Sequence, residues 1–120
     1  MAVSATRFGP FKGSPMSQFD VYINPNEATR HAYPLLVDIQ NPLISELSTR
    51  IVVPLAKLEQ FNNVKMDRLT PVVEYEGDQL LLLTPQLASI PADMLGQPVG
   101  SLLGFRDEII ASLDFAVTGI

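Results

Sequence analysis

The sequence of 120 residues contains no cysteine and no tryptophan, and its eight Lys and Arg are outnumbered by thirteen Asp and Glu. Without cysteine, a disulfide scaffold, a thiolate zinc site and a cysteine nucleophile are excluded, and the chain suits a reducing cytoplasm. The net charge of −5 and the scattered basic residues argue against binding to a phosphate backbone. We therefore expect one cytoplasmic domain with no direct nucleic-acid partner.

Long apolar runs are also missing from the sequence. The run of leucines from Leu80 to Leu83 is far shorter than the roughly 20 residues that a membrane-spanning helix needs. No charged-then-apolar signal peptide opens the chain. Hydrophobic residues nevertheless make up 47% of the sequence, which is enough for a core and for apolar surface buried against a second copy. The composition predicts a homodimer without a membrane segment.

The first fifteen residues lack hydrophobic periodicity and are interrupted by Gly and Pro. Met16 follows them and is a credible natural start. We therefore expect residues 1–15 to be a disordered leader or an expression extension, and residues 16–120 to form the domain.

Alternating apolar and polar residues predict strands along most of the domain. A β-hairpin is the clearest of these patterns, because Gly77 stands between two apolar runs at a position where such turns need a positive φ. In the first strand Phe19, Val21 and Ile23 are expected to be buried, with Tyr22 on the exposed face. The residues predicted as strands are 18–23, 33–40, 50–55, 69–75, 79–84 and 85–90, whereas residues 57–67 are expected to be a helical turn or irregular, and residues 91–96 a helical turn.

Residues 105–120 have the spacing of a helix that runs to the end of the chain, with Asp107 and Glu108 near its positive end. Strands in sequence followed by one helix predict an antiparallel α+β domain, a small twisted barrel. The helix face expected to be buried comprises Phe105, Ile109, Leu113, Ala116, Val117 and Ile120.

No residue pattern indicates catalysis. His31 is the only histidine and has no second ligand beside it, while Asp107 and Asp114 are seven residues apart on a helix face expected to be solvated. The serines have no nucleophile-elbow context. The sequence therefore predicts a binding protein that is not an enzyme and needs no metal or cofactor. Arg50, Arg68 and Arg106 are expected to form surface salt bridges.

Six separated blocks of the sequence resemble the CcdB family of toxins in order and spacing. They are Gln18-Phe-Asp-Val-Tyr22, Leu36-Val-Asp-Ile-Gln40, Val52-Val-Pro-Leu55, Thr70-Pro-Val-Val73, Leu87-Ala-Ser-Ile-Pro91 and the closing Gly119-Ile120. The resemblance covers residues 16–120. It implies a homodimer of SH3-like antiparallel β-barrels of the CcdB/MazF type, each with a small extra sheet and a C-terminal α-helix.

The resemblance also implies a function. Toxins of this family belong to toxin–antitoxin modules, bind the A subunit of DNA gyrase and trap the enzyme with its DNA cut. The family's contact surface combines the end of the terminal helix with two apolar residues in the loop after the second strand. By position, the gyrase-binding residues expected here are Asp114, Val117, Thr118, Gly119, Ile120, Leu43 and Ile44.

The resemblance implies a second partner, a CcdA-like antitoxin whose C-terminal segment wraps the toxin. The stretches least determined by their own core pattern, residues 24–31 and 57–67, are the expected antitoxin surface. The residues predicted to bind the antitoxin are Asn24, Asn26, Glu27, Arg30, His31, Lys57, Phe61 and Lys65.

This chain departs from the family's best-known member at the helix end. Val117-Thr118 replaces an aromatic pair, and Asp114 replaces an asparagine. One alternative is therefore a relative that keeps the fold and the antitoxin surface but no longer poisons gyrase. Another is a MazF-like endoribonuclease on the same barrel, which would need an arginine cluster and an acid–base residue.

Overall fold

The computed structural model describes residues 17–41, 48–61 and 68–119. Within these ranges the chain forms seven strands and one α-helix, α1, at Arg106–Thr118. Short 3₁₀ turns lie at Leu58–Gln60, Thr84–Gln86, Ala92–Met94 and Leu103–Phe105. The strands are β1 (Asp20–Ile23), β2 (Leu35–Asp38), β3 (Thr49–Lys57), β4 (Val72–Tyr75), β5 (Asp78–Leu82), β6 (Ala88–Pro91) and β7 (Gly100–Ser101).

The strands form one curled antiparallel sheet in the order β4-β5-β3-β2-β1-β7. Strand β3 is long enough to pair twice along one edge, with β5 beside Leu55–Lys57 and β6 beside Thr49–Val52. Strand β6 pairs with β3 but lies outside the main strand order, so it forms a branch of the sheet. The sheet is a half-barrel with one C-terminal helix, which confirms the predicted α+β fold.

The main core lies between the inner face of the half-barrel and α1. Val21, Val37, Val53 and Leu55 supply the sheet side, and Ile109 is the helix residue at its centre, with no solvent exposure. Burying an aliphatic side chain of this size contributes about 1.5–3 kcal/mol. The helix is therefore held to the sheet mainly through its first two turns.

The outer face of the sheet is also covered, which overturns the predicted alternation in β1. Tyr22 is fully buried and packs with Leu36, Val52 and Leu95, whereas Ile23 is 53% exposed. The reason is the β6 branch, because Ile90 of β6 and Leu95 after it lie over the outer face. An antiparallel sheet commonly exposes one face to solvent, but here a branch strand covers that face.

The predicted hairpin is confirmed as β4 and β5, joined through Glu76 and Gly77. Both turn residues have positive φ, 52° and 86°, as a tight hairpin turn requires. Beside this hairpin, Tyr75 lies so close to Gly100 that a Cβ there would collide with the phenol. The Tyr75 hydroxyl donates to the Val99 carbonyl at 2.9 Å, so the absence of a side chain at Gly100 lets the hairpin close against β7.

Candidate binding surfaces

The last turn of α1 presents apolar surface to solvent. Val117 is 79% exposed, and Ala116 beside it is also exposed. The Thr118 hydroxyl donates to the Asp114 carbonyl at 2.6 Å, so its hydrogen bond is used within the helix. Gly119 caps the helix in the left-handed conformation, φ 75°, and its N–H donates to the Phe115 carbonyl. The helix thus ends at Thr118, two residues before the predicted end.

The helix face predicted to be buried is correct in its first half and wrong in its second. Ile109 is buried and Phe105 and Leu113 are half-buried, but Ala116 and Val117 face solvent. The buried face of the helix instead includes Ser112, which is 1% exposed. Ser112 is on the buried face because its hydroxyl shares a hydrogen bond of 2.7 Å in the interior with Thr84, the first residue of the 3₁₀ turn after β5.

Arg68 provides a further contact to the helix. Its guanidinium lies 4.3 Å from the centre of the Phe115 ring, within the range of a cation–π interaction. The contact holds Phe115, two residues before Val117, against Arg68. The structure thus shows Arg68 stacked on a ring, and Arg106 pairs with Asp107 at the surface, as predicted.

Four of the predicted binding residues lie outside the described part of the chain. They are Leu43 and Ile44 after β2, Lys65 after β3, and Ile120 after the helix cap.

The loop at residues 24–31 is held by its own hydrogen bonds. The buried Asn24 side chain donates to Thr29 Oγ1 at 3.0 Å and to the Tyr33 carbonyl at 2.9 Å, and Arg30 Nε donates to the Asn24 carbonyl at 2.7 Å. Asn24 and Arg30 therefore shape the loop, while Asn26, Glu27 and His31 are exposed on it. Of the residues predicted to bind the antitoxin in this loop, the last three are the ones exposed to a partner.

The other predicted antitoxin residues lie where β3 ends. Lys57 is exposed and lines a groove together with Ile23 and Pro34, which flank the loop at residues 24–31. Phe61 is half-buried against Ala56 and its neighbours. The fold thus brings Lys57 to the base of that loop, although the two stretches are far apart in sequence.

A buried ion pair is the feature that sequence reasoning missed. Arg50, expected at the surface, is 1% exposed, and its Nη2 lies 2.7 Å from Asp38 Oδ2 on the neighbouring strand. The second Asp38 oxygen accepts the N–H of Gln40 at 2.9 Å. Arg50 Nη1 and the Tyr22 hydroxyl are buried beside the pair without a hydrogen-bond partner in the described residues. The signal available was Asp38 between the apolar Val37 and Ile39, where an unpaired charge is not tolerated.

Burial dominates the ionisation of this cluster. It raises the pKa of Asp38, an effect that the Gln40 N–H and the Arg50 guanidinium oppose. Burial likewise raises the pKa of the Tyr22 phenol, and the nearby Asp20 and Asp38 carboxylates add to the increase. Asp20, at the half-buried start of β1, has a pKa raised above its ordinary 3.8 by burial, against a hydrogen bond from the Ser17 N–H.

We predict that Asp20→Asn stabilises the protein at pH 7, because burial disfavours the charged carboxylate that the wild-type chain carries there. Because the folded-state pKa of Asp20 is raised, the folded state binds its proton more tightly than the unfolded state. Stability from this group is complete below the unfolded pKa of about 3.9 and is lost as the pH rises through the folded value.

Urea unfolding across the weakly acidic range checks this prediction. The difference in unfolding free energy between Asp20→Asn and the natural chain should shrink as the pH falls. Parallel curves for the natural chain and Asp20→Asn would show that the Asp20 charge costs the fold nothing.

The comparison with protein families identifies the fold. Residues 18–119 match the family model described as CcdB protein. The matched range includes the buried ion pair and the described residues of both candidate surfaces. The chain belongs to the CcdB family. Membership indicates the toxin of a toxin–antitoxin module, with gyrase and an antitoxin as the partners implied in general for CcdB proteins.

Two kinds of feature are missing from the described residues. None of their helices is long and apolar enough to cross a membrane. In the same ranges, no group of three or more His, Cys, Asp or Glu side chains is arranged to hold a metal ion.

Proposed function

We propose that this chain is a CcdB-type toxin that binds the A subunit of DNA gyrase and traps the enzyme on cut DNA. The observation that carries the proposal is the exposed apolar end of α1, where Val117 is 79% exposed and takes no part in the core. A large apolar side chain at a helix end is costly to leave in water, and it gains when a partner covers it.

The contact in this proposal is made by Val117, Thr118, Gly119 and Ile120, with Asp114 one turn earlier and Leu43 and Ile44 from the second loop. Gly119 has open space where a Cβ would stand, so a partner can approach the backbone there. A homodimer would present two such ends, which suits a target with twofold symmetry.

The chain acts in this proposal without chemistry of its own, so it is not an enzyme. The rival ribonuclease function is disfavoured by Arg50, which is buried against Asp38 and is not accessible to an RNA backbone. A second rival, a relative that binds only the antitoxin, differs from the proposal in a single measurable property, its affinity for gyrase.

Calorimetric titration of the purified chain into the dimerisation domain of the gyrase A subunit tests the proposal. We expect binding by the full chain and a loss of about tenfold or more in affinity when residues 118–120 are removed, equivalent to about 1.4 kcal/mol or more. Because Thr118 and Gly119 are exposed, the truncation removes no core contact, and its cost to stability should be limited to the hydrogen bonds at the end of α1, so the truncated chain should stay folded. Absence of binding by the folded full chain would favour the relative that binds only the antitoxin.

A further inference from the structure

A groove beside the β4–β5 hairpin is lined by apolar side chains and rimmed by carboxylates. It lies between the ends of β1 and β3, the hairpin and the approach to β7, and has a volume of about 420 Å³. Ile23, Leu35, Tyr75, Leu80 and Val99 form its apolar lining. We call it the hairpin groove.

Apolar surface in the hairpin groove is open to solvent. Ile23 is 53% exposed and Val99 is 43% exposed. Their backbones are nevertheless held in place, because Ile23 pairs with Leu35 in the sheet and the Val99 N–H donates to the Val21 carbonyl. A volume of this size is at the lower end of the range for binding pockets and accommodates a large apolar side chain. The groove is preformed, because Tyr75 is fixed by its hydrogen bond to Val99 and by contact with Gly100.

Charge at the rim indicates what kind of ligand fits. Glu76 and Asp78 line the hairpin groove, and both are exposed. No ion pair in the described residues involves either of them, and Lys57 is the one basic side chain of the lining. The rim therefore carries excess negative charge, which favours basic ligands and repels acidic ones.

We propose that the hairpin groove docks a segment of the antitoxin in which an apolar side chain is flanked by lysine or arginine. This inference rests on the proposed function, since it takes the chain to be a toxin with an antitoxin. A second copy of this chain is a poorer occupant, because its net charge of −5 would meet the same acidic rim. Lys57, which the sequence already assigned to the antitoxin surface, then lies at the edge of the groove, next to the loop at residues 24–31.

Two labelled synthetic peptides test the proposal on the full chain by fluorescence anisotropy at low salt. The basic probe is Gly-Lys-Arg-Leu-Phe-Lys-Arg-Gly, and the acidic probe is Gly-Glu-Asp-Leu-Phe-Glu-Asp-Gly. We expect the basic peptide to bind and the acidic one not to, with affinity falling as salt is added. Equal binding of both peptides would overturn the role of the rim, and binding of neither would overturn the proposal.

Matched variants locate the binding. Glu76→Gln with Asp78→Asn should weaken the basic peptide about fivefold, whereas Asp107→Asn with Glu108→Gln, an identical charge change on exposed helix residues, should leave it unchanged. Ile23→Ser should weaken it further, and Leu103→Ser, at a similar 57% exposure, should not. If both pairs of carboxylate variants act alike, the peptide is responding to net charge and the groove is not its site.

Two further outcomes would assign the hairpin groove to another occupant. A shift from dimer to monomer on Ile23→Ser would make it an interface between copies. Tighter peptide binding on Arg7→Gln with Lys12→Gln would point to the chain's own basic residues as competitors. Gyrase binding is measured in parallel and should be unchanged by Glu76→Gln with Asp78→Asn, so failure of the gyrase proposal and failure of the peptide proposal give different results.

Discussion

Replacing Asp38 by alanine lowers the free energy of unfolding by about 3–5 kcal/mol, because it leaves the Arg50 charge buried and unpaired. Arg50 is 1% exposed and Asp38 is fully buried, so water cannot replace the lost partner without opening the sheet between β2 and β3. The Gln40 N–H loses its acceptor in the same variant. A loss of this size is a large part of the stability of a small domain, so the milder Asp38→Asn is measured beside it.

Chemical denaturation followed by circular dichroism measures both changes. A double variant, Asp38→Leu with Arg50→Met, removes both charges together and should recover most of the stability, since apolar pairs often replace buried ion pairs at little cost. The exposed pair of Arg106 and Asp107 gives the matched control, and Arg106→Met should cost less than about 0.5 kcal/mol. An Asp38→Asn variant as stable as the natural chain would show that the pair does not hold the two strands.

Val117→Glu should reduce the affinity for the gyrase A subunit by about thirtyfold, the effect of losing roughly 2 kcal/mol from a central apolar contact. Val117 is 79% exposed in the free chain, so the substitution should change the free energy of unfolding by no more than about 0.5 kcal/mol. The loss would then lie in binding, because a charge placed in a desolvated contact has no partner there.

Leu103→Glu is the control for this substitution. Leu103 is another exposed apolar residue, 57% exposed, and it lies just before the other end of α1. Its replacement should leave gyrase affinity within about twofold of that of the natural chain. Equal losses for the two variants would show that the end of the helix is not the contact and that any added charge near this helix weakens binding.

The sequence predicted the parts of the fold that depend on local backbone preference. Gly77 determined the position of the hairpin, since the turn needs positive φ, and the two strands pair on either side of it as expected. The terminal helix was placed to within one residue at its start, and its acidic first turn is present. These features are encoded within a few residues of where they occur.

Features that depend on distant residues were not predicted. Tyr22 is buried because β6 branches onto the outer face of the sheet, and no pattern within β1 records that branch. Ser112 is on the buried face of the helix because its hydroxyl is hydrogen-bonded to the buried hydroxyl of Thr84, 28 residues earlier. Phe19 has a positive φ of 75°, unusual for a bulky residue, at a position where alternation predicted ordinary strand.

The candidate binding surfaces likewise combine features that the local sequence predicts with features that only the folded structure shows. The helical pattern placed Val117 on the buried face, and the resemblance placed it in the gyrase contact. Only the structure shows that Val117 faces solvent while Thr118 is bonded to its own helix. In the loop at residues 24–31, composition could not separate Asn24 and Arg30, which hold the loop, from the exposed residues that a partner can reach. The charged rim of the hairpin groove arises where the hairpin closes against β7, a long-range contact.

The most direct measurement of the central claim is the accumulation of cleaved plasmid DNA by purified gyrase with ATP. The natural chain should increase the cleaved fraction, and the chain lacking residues 118–120 should not, at equal concentration and with both shown to be folded. Cleavage that appears only with the natural chain would support poisoning through the end of α1. Cleavage by neither, from a folded protein that also fails to bind the gyrase A subunit, would contradict the account.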